Sequence, residues 1–187
     1  MNSNAIKIDA KHMIIFTDGG AINNCKGAPG GSGVLFVNNL MLLGCSKYGT
    51  NNIRELDAIR YALYCLNKNF HEFSKLFDQK HVTIFSDSEY SINVITGNMK
   101  AKANRELITK CKYYINELKL KGIEIKFEHV MAHTNNIDDI SFCNSIVDRV
   151  ANSEAKELMN TKDEKVWHLV KLTTDEYSRL TKINSIK

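Results

Sequence analysis

Four acidic side chains have types and positions that could support metal-dependent chemistry. Asp18 and Asp87 each end an apolar segment, whereas Glu55 and Asp148 lie near the starts of amphipathic segments. Carboxylate oxygens are the preferred ligands of hard cations such as Mg²⁺. A cluster of like charges is strongly repulsive unless cations neutralise it. If the four side chains converge in the fold, they predict a magnesium site.

Each of these carboxylates also has a simpler structural interpretation. Asp18 precedes two glycines and could form an ordinary turn. Glu55 follows Asn52 at the spacing of a capping box, and Asp87 could cap the next helix. Asp148 would suit the positive end of a helix dipole. Spacing by itself leaves these alternatives open.

The elements that must position the carboxylates follow from the hydrophobic periodicity. Apolar runs predict strands at 13–18, 34–37, 40–49, 81–87 and 123–130, with a hairpin turn at Asn38–Asn39. Helical spacing predicts helices at 53–68, 88–95, 107–118 and 144–159, whereas 19–33 and 131–143 are predicted to be loops. This order is typical of a mixed sheet covered by helices. Ligands of open α/β sheets bind at the carboxyl ends of strands, where Asp18 and Asp87 would lie.

Length and composition favour one globular unit of 187 residues with 43% apolar residues and a net charge of +4. We expect a polar lead-in at 1–12, a folded domain at 13–160 and a C-terminal extension at 161–187 of open role. The five scattered cysteines are typical of free thiols. We find no signal-like segment or membrane-spanning run, which predicts an intracellular protein, cytoplasmic or nuclear.

A set of short motifs resembles type 1 ribonuclease H, in the handle-less variant similar to retroviral domains. The motifs are FTDGG (16–20), APGGSGVL (28–35), TNNIREL (50–56), FSDSEY (85–90) and HVMAHTNN…NSIVD (129–148). This resemblance implies an α/β, ribonuclease H-like fold with a five-stranded mixed sheet flanked by helices. It also implies hydrolysis of the RNA strand of RNA–DNA hybrids by a two-metal-ion mechanism, leaving 5′-phosphate and 3′-hydroxyl ends.

The resemblance assigns residues to these roles. The catalytic set is Asp18, Glu55, Asp87, His133 and Asp148, and the four carboxylates among them would hold two Mg²⁺ ions, with Mn²⁺ as an alternative. The implied substrate-binding residues are Gly19, Gly20, Asn24, Asn51, Asn52 and Asn144. The expected partner is an RNA–DNA hybrid duplex, bound by a monomer with no protein partner and no membrane.

Three other readings remain open at this stage. The first is a non-catalytic hybrid-binding protein of the same fold, and the second is a DNA-directed nuclease. The third is a nucleotide-binding module whose phosphates would sit on the glycine-rich residues 27–33. Candidate phosphate contacts outside the motifs are basic residues of the connection 97–106 and of the helix after it: Lys100, Lys102, Arg105, Lys110 and Lys112. A solvated helix face is an equally open interpretation of these residues.

Overall fold

The computed structural model describes residues 12–70, 81–131 and 138–185. The predicted N-terminal lead-in falls almost entirely outside these ranges, and so does the catalytic candidate His133. No helix in the described part of the chain is long and apolar enough to cross a membrane.

The described residues form a six-stranded sheet and five α-helices. The strands are β1 (His12–Ala21), β2 (Pro29–Phe36), β3 (Met41–Tyr48), β4 (His81–Ser86), β5 (Glu124–His129) and β6 (Lys165–Leu169). The helices are α1 (Asn51–Lys68), α2 (Glu89–Thr96), α3 (Arg105–Leu120), α4 (Asp139–Thr161) and α5 (Thr174–Ser185). Short 3₁₀ turns occupy Ile22–Asn24 and Val37–Asn39.

The sheet has the strand order β5-β4-β1-β2-β3-β6. The β1-β2, β2-β3 and β3-β6 pairs are antiparallel, whereas β4 is parallel to both β1 and β5. The predicted mixed sheet is therefore confirmed. Parallel pairing matters for the site because it brings the carboxyl ends of β1 and β4 to the same edge.

Alternating side chains of the central strands feed two separate cores. On β1, Met13 and Ile15 face the core beneath α1, α2 and α3, whereas Ile14 and Phe16 face the core beneath α4 and α5. These side chains are almost fully buried, as expected for a sheet covered on both faces. The resulting framework fixes α1 and α4 against opposite faces of the same two strands.

The glycine-rich segment is a strand, so the prediction of a loop over 19–33 is wrong for much of its length. β1 continues to Ala21, and β2 pairs with β3 from Pro29 onward and with β1 from Gly30 onward. A Cβ atom at Gly31 would lie 2.0 Å from the carbonyl oxygen of Ala151 on α4. Glycine is therefore needed here because a helix backbone packs directly on the strand. This buried strand leaves no phosphate-binding loop, which removes the nucleotide-binding reading.

The chain also continues into the sheet beyond the last predicted helix. β6 pairs with β3 and forms the edge of the sheet, so the sheet has six strands and the prediction of five is wrong. Trp167 on β6 stacks on Tyr61 of α1 with ring centroids 4.2 Å apart. On α5, Leu180 is fully buried, and Glu176 accepts two hydrogen bonds from Arg149 of α4 at 2.7 and 2.8 Å.

Candidate active site

Asp18 and Asp87 come together because their strands are parallel neighbours. Thr17 of β1 pairs with Ser86 of β4. Asp18 and Asp87 follow these two residues directly and are therefore neighbours. Asp18 is 5% exposed, and its Oδ1 accepts a hydrogen bond of 2.6 Å from the backbone N–H of Gly19. The two predicted strand-end carboxylates therefore share one edge of the sheet.

Glu55 reaches the same place from the first turns of α1. A Cβ atom at Gly19 would lie 2.2 Å from the backbone carbon of Arg54, so only glycine lets α1 approach β1 this closely. One carboxylate oxygen each from Asp18, Glu55 and Asp87 lies within 4.8 Å of the others. Three of the four predicted metal ligands thus converge.

The helix-capping interpretations of Glu55 and Asp87 are wrong. The N-cap of α1 is Thr50, so Asn52 lies inside the helix and forms no capping box with Glu55. The helix after Asp87 is capped by Ser88, whose Oγ accepts from the N–H of Ser91.

Asp148 approaches from α4 on the other side of the cluster. It lies in the middle of that helix, which begins at Asp139, so the prediction that it sits early in a helix is wrong and the dipole interpretation does not apply. Its carboxylate is outside the 4.8 Å group but lines the same open cavity of about 330 Å³ as Asp18, Glu55 and Asp87. Asn152, one turn later, donates to Asp148 Oδ1 at 2.9 Å.

Burial and mutual repulsion make the carboxylates hard to ionise without a cation. Burial, followed by the charges of Asp87 and Asp148, raises the pKa of Asp18 from 3.8 to about 7. Burial, followed by the charges of Asp18 and Asp87, also raises the pKa of Glu55 well above its usual value. Among the described residues, Glu55 Oε2 has no hydrogen-bond partner although it is buried. Such a donor set fits a hard divalent cation, which would neutralise the cluster and use that oxygen.

The raised pKa of Asp18 predicts how pH and Mg²⁺ affect stability. Between about pH 4 and pH 7 the folded protein holds a proton on Asp18 that the unfolded chain has released. Without divalent cations, the free energy of unfolding therefore falls as pH rises through this window. We expect Mg²⁺ to raise the melting temperature more at pH 8 than at pH 5, measured by thermal denaturation with and without EDTA. An equal Mg²⁺ effect at both pH values would contradict the prediction.

Asparagine side chains fix the loop next to the carboxylates. The Oδ1 of Asn51 accepts from the N–H of Ala21 at 2.8 Å, and Asn24 Oδ1 accepts from the N–H of Asn51 at 2.9 Å. Asn51 lines the cavity, whereas Asn52 is exposed and is not among the residues that line it. Asn144 is buried on α4 and does not line the cavity. Gly19 and Gly20 form part of the cavity wall.

Sequence reasoning missed two polar residues of the cavity, Asn152 and Lys156. They follow Asp148 at four and eight residues, which places all three on one face of α4. The sequence shows this spacing, but it predicts that the helix begins at 144 and contains no signal that its face lines a cavity. Among the basic residues that the sequence suggests as phosphate contacts, Lys110 already pairs with Glu106 at 2.6 Å.

Comparison with known proteins shows a matching family model and two similar sequences. A family model described as RNase H matches residues 10–156. A "Probable ribonuclease H" of Acanthamoeba polyphaga mimivirus is 34% identical over 161 residues, covering 75% of this chain. The match spans 64% of that viral protein's length. A "Ribonuclease H" of Caldicellulosiruptor saccharolyticus is 28% identical over 159 residues, covering 79% of this chain and 99% of the bacterial protein.

A solved structure shares the fold. LC11-RNase H1, isolated from compost, has been solved in complex with an RNA/DNA hybrid. That complex superimposes with a TM-score of 0.59 at 22% identity, covering 79% of this chain and 99% of the other.

Proposed function

The chain belongs to the ribonuclease H family, and we propose that it is an endonuclease that hydrolyses the RNA strand of RNA–DNA hybrids. The observation that supports this most directly is the convergence of Asp18, Glu55 and Asp87, with Asp148 lining the same cavity from α4. A cavity lined by four carboxylates would repel a phosphodiester. It therefore suits nucleic-acid chemistry only with cations bound.

We infer that the four carboxylates hold two Mg²⁺ ions. When bound, these ions would activate the attacking water and stabilise the charge on the attacking and leaving oxygens of the scissile phosphate, giving 5′-phosphate and 3′-hydroxyl ends. Asp18 is the central ligand in this proposal because its carboxylate interacts with those of Glu55, Asp87 and Asp148. The Gly19 N–H holds one oxygen of Asp18 and so fixes its orientation.

Selection of RNA requires a group that senses the 2′-hydroxyl, which distinguishes RNA from DNA. Glu55 and the backbone of Gly19 and Gly20 line the cavity and are the proposed contacts. Asn51 is the proposed reader of base edges in the minor groove. Its Oδ1 and its backbone N–H are already held, so its amide N–H groups are preorganised to donate to a base. Asn144 is not part of the proposal because it is buried away from the cavity.

The test measures strand cleavage in three matched duplexes: RNA–DNA, RNA–RNA and DNA–DNA. The label is on an RNA strand in the first two duplexes and on a DNA strand in the third. We expect cleavage of the hybrid alone, lost in EDTA and restored by Mg²⁺. Extension of the RNA products by a DNA polymerase would identify 3′-hydroxyl ends. Cleavage of the DNA duplex would favour a DNA-directed nuclease. Hybrid binding without cleavage would favour a non-catalytic binding protein.

A further inference from the structure

Helix α4 presents a continuous polar and small-residue stripe to the cavity beyond Asp148. The stripe consists of Asp148, Ala151, Asn152, Ala155 and Lys156, all of which line the cavity. Asp148 and Lys156 are eight residues apart, which corresponds to about 12 Å along a helix. The two alanines between them leave this part of the wall free of bulk.

The strand facing this stripe adds to the open space. Gly20 of β1 also lines the cavity, and a Cβ atom there would meet no atom within 4 Å. The cavity therefore extends from the carboxylates along α4 as far as Lys156, the last residue of that helix that lines it. A nucleic-acid strand with its scissile phosphate at the carboxylates has room to continue in that direction.

Lys156 is the one cation among the described residues that line this cavity, which otherwise carries four carboxylates. It is exposed, and within the described part of the chain no carboxylate lies at ion-pair distance from it. The helix positions three and four residues away offer no carboxylate either: Asn152, Ser153, Met159 and Asn160. The adjacent Glu157 pairs with Lys165 at 2.5 Å.

We propose that Lys156 binds a backbone phosphate of the RNA strand, a few nucleotides from the scissile linkage. This inference rests on the proposed function, because it takes the strand at the carboxylates to be the cleaved one. The ammonium group would act as a point charge on the backbone and would not read the base sequence. At a rise of about 3.4 Å per nucleotide, 12 Å places this phosphate within roughly four nucleotides of the cut.

The first test is the salt dependence of hybrid affinity for Lys156→Ala, measured at a fixed Mg²⁺ concentration on the Asp18→Asn background, where cleavage is too slow to interfere. We expect about fivefold weaker binding at low salt, the effect of one exposed ion pair. The slope of log K against log salt should lose about 0.9 in magnitude. Lys119→Ala is the matched control, because Lys119 is an exposed lysine on α3 outside the cavity. An unchanged slope for Lys156→Ala would overturn the proposal.

The second test locates the phosphate. Single methylphosphonates, each on a 2′-deoxynucleotide, are placed along either strand and compared with the 2′-deoxy phosphodiester at the same position. We expect one RNA-strand position within about four nucleotides of the cut where the neutral linkage weakens binding of the parent protein but not of Lys156→Ala. Coupling only to DNA-strand positions would overturn the strand assignment.

These results separate the inference from the proposed function. If the protein binds hybrids with a salt slope that depends on Lys156 but cleaves none of the duplexes, the enzyme proposal is refuted and the phosphate contact is supported. If the protein cleaves the hybrid but its hybrid affinity and salt slope do not depend on Lys156, the phosphate contact is refuted and the enzyme proposal is supported.

Discussion

Asp18→Asn is expected to reduce cleavage of an RNA–DNA hybrid by about a thousandfold, the scale seen when a group that stabilises transition-state charge is removed. Asparagine has nearly the same shape, and its Oδ1 can still accept the hydrogen bond from Gly19. The substitution therefore removes one negative charge and little else. Because Asp18 interacts with Glu55, Asp87 and Asp148, its charge acts on every other carboxylate of the cluster. The measurement is the initial rate of RNA cleavage with Mg²⁺.

Asp163→Asn is the matched control for this prediction. Asp163 is exposed and follows α4, outside the cavity, so the same chemical change there should leave the rate unaltered. Hybrid affinity and the circular dichroism spectrum of both variants should resemble those of the parent protein. Near-normal cleavage by a folded Asp18→Asn protein would refute the role proposed for Asp18.

Gly31→Ala is expected to lower the free energy of unfolding by about 3 kcal/mol, at the upper end of the cost of overpacking. Its Cβ would lie 2.0 Å from the carbonyl oxygen of Ala151 and 2.8 Å from the N atom of Ala155. Both obstacles are helix backbone, so no side chain can rotate away. Either β2 or α4 must move. The measurement is urea denaturation followed by circular dichroism.

Gly20→Ala provides the control because Gly20 is the register partner of Gly31 on β1. The same methyl group there meets no atom within 4 Å, so stability should change by less than about 0.5 kcal/mol. Displacement of α4 would also move Asp148, so the gain in melting temperature from Mg²⁺ should shrink in Gly31→Ala. Equal stability of the two variants would show that the contact between β2 and α4 is looser than the structure indicates.

Much of the fold follows from periodicity in the sequence. The strands that carry Asp18 and Asp87, the helix that carries Glu55 and the order of these elements are all as predicted. Alternating and helical patterns are strong signals because burial on one face dictates them. The C-terminal strand β6 was missed because Val166 and Leu169 are exposed on it, so it lacks the apolar alternation of a half-buried strand.

Glycines produced the largest error. The sequence predicts that Gly30, Gly31 and Gly33 are loop residues, because glycine most often marks a turn. In the fold, Gly31 and Gly33 face the backbone of α4, and Gly30 faces Arg54 of α1. For Gly31 and Gly33, local sequence could not reveal this, because the requirement for glycine comes from a helix more than 100 residues away in the chain.

The sequence by itself therefore determined the chemistry available: carboxylates at the ends of predicted strands and near predicted helices, in motifs that resemble one family. Only the tertiary structure decided that Asp18, Glu55 and Asp87 meet, and that Asp148 and Lys156 of α4 line the same cavity. The reason is that convergence depends on strand pairing and helix approach. Parallel pairing of β1 with β4 sets the first contact, and the absence of side chains at Gly19 and Gly31 sets how closely α1 and α4 can approach.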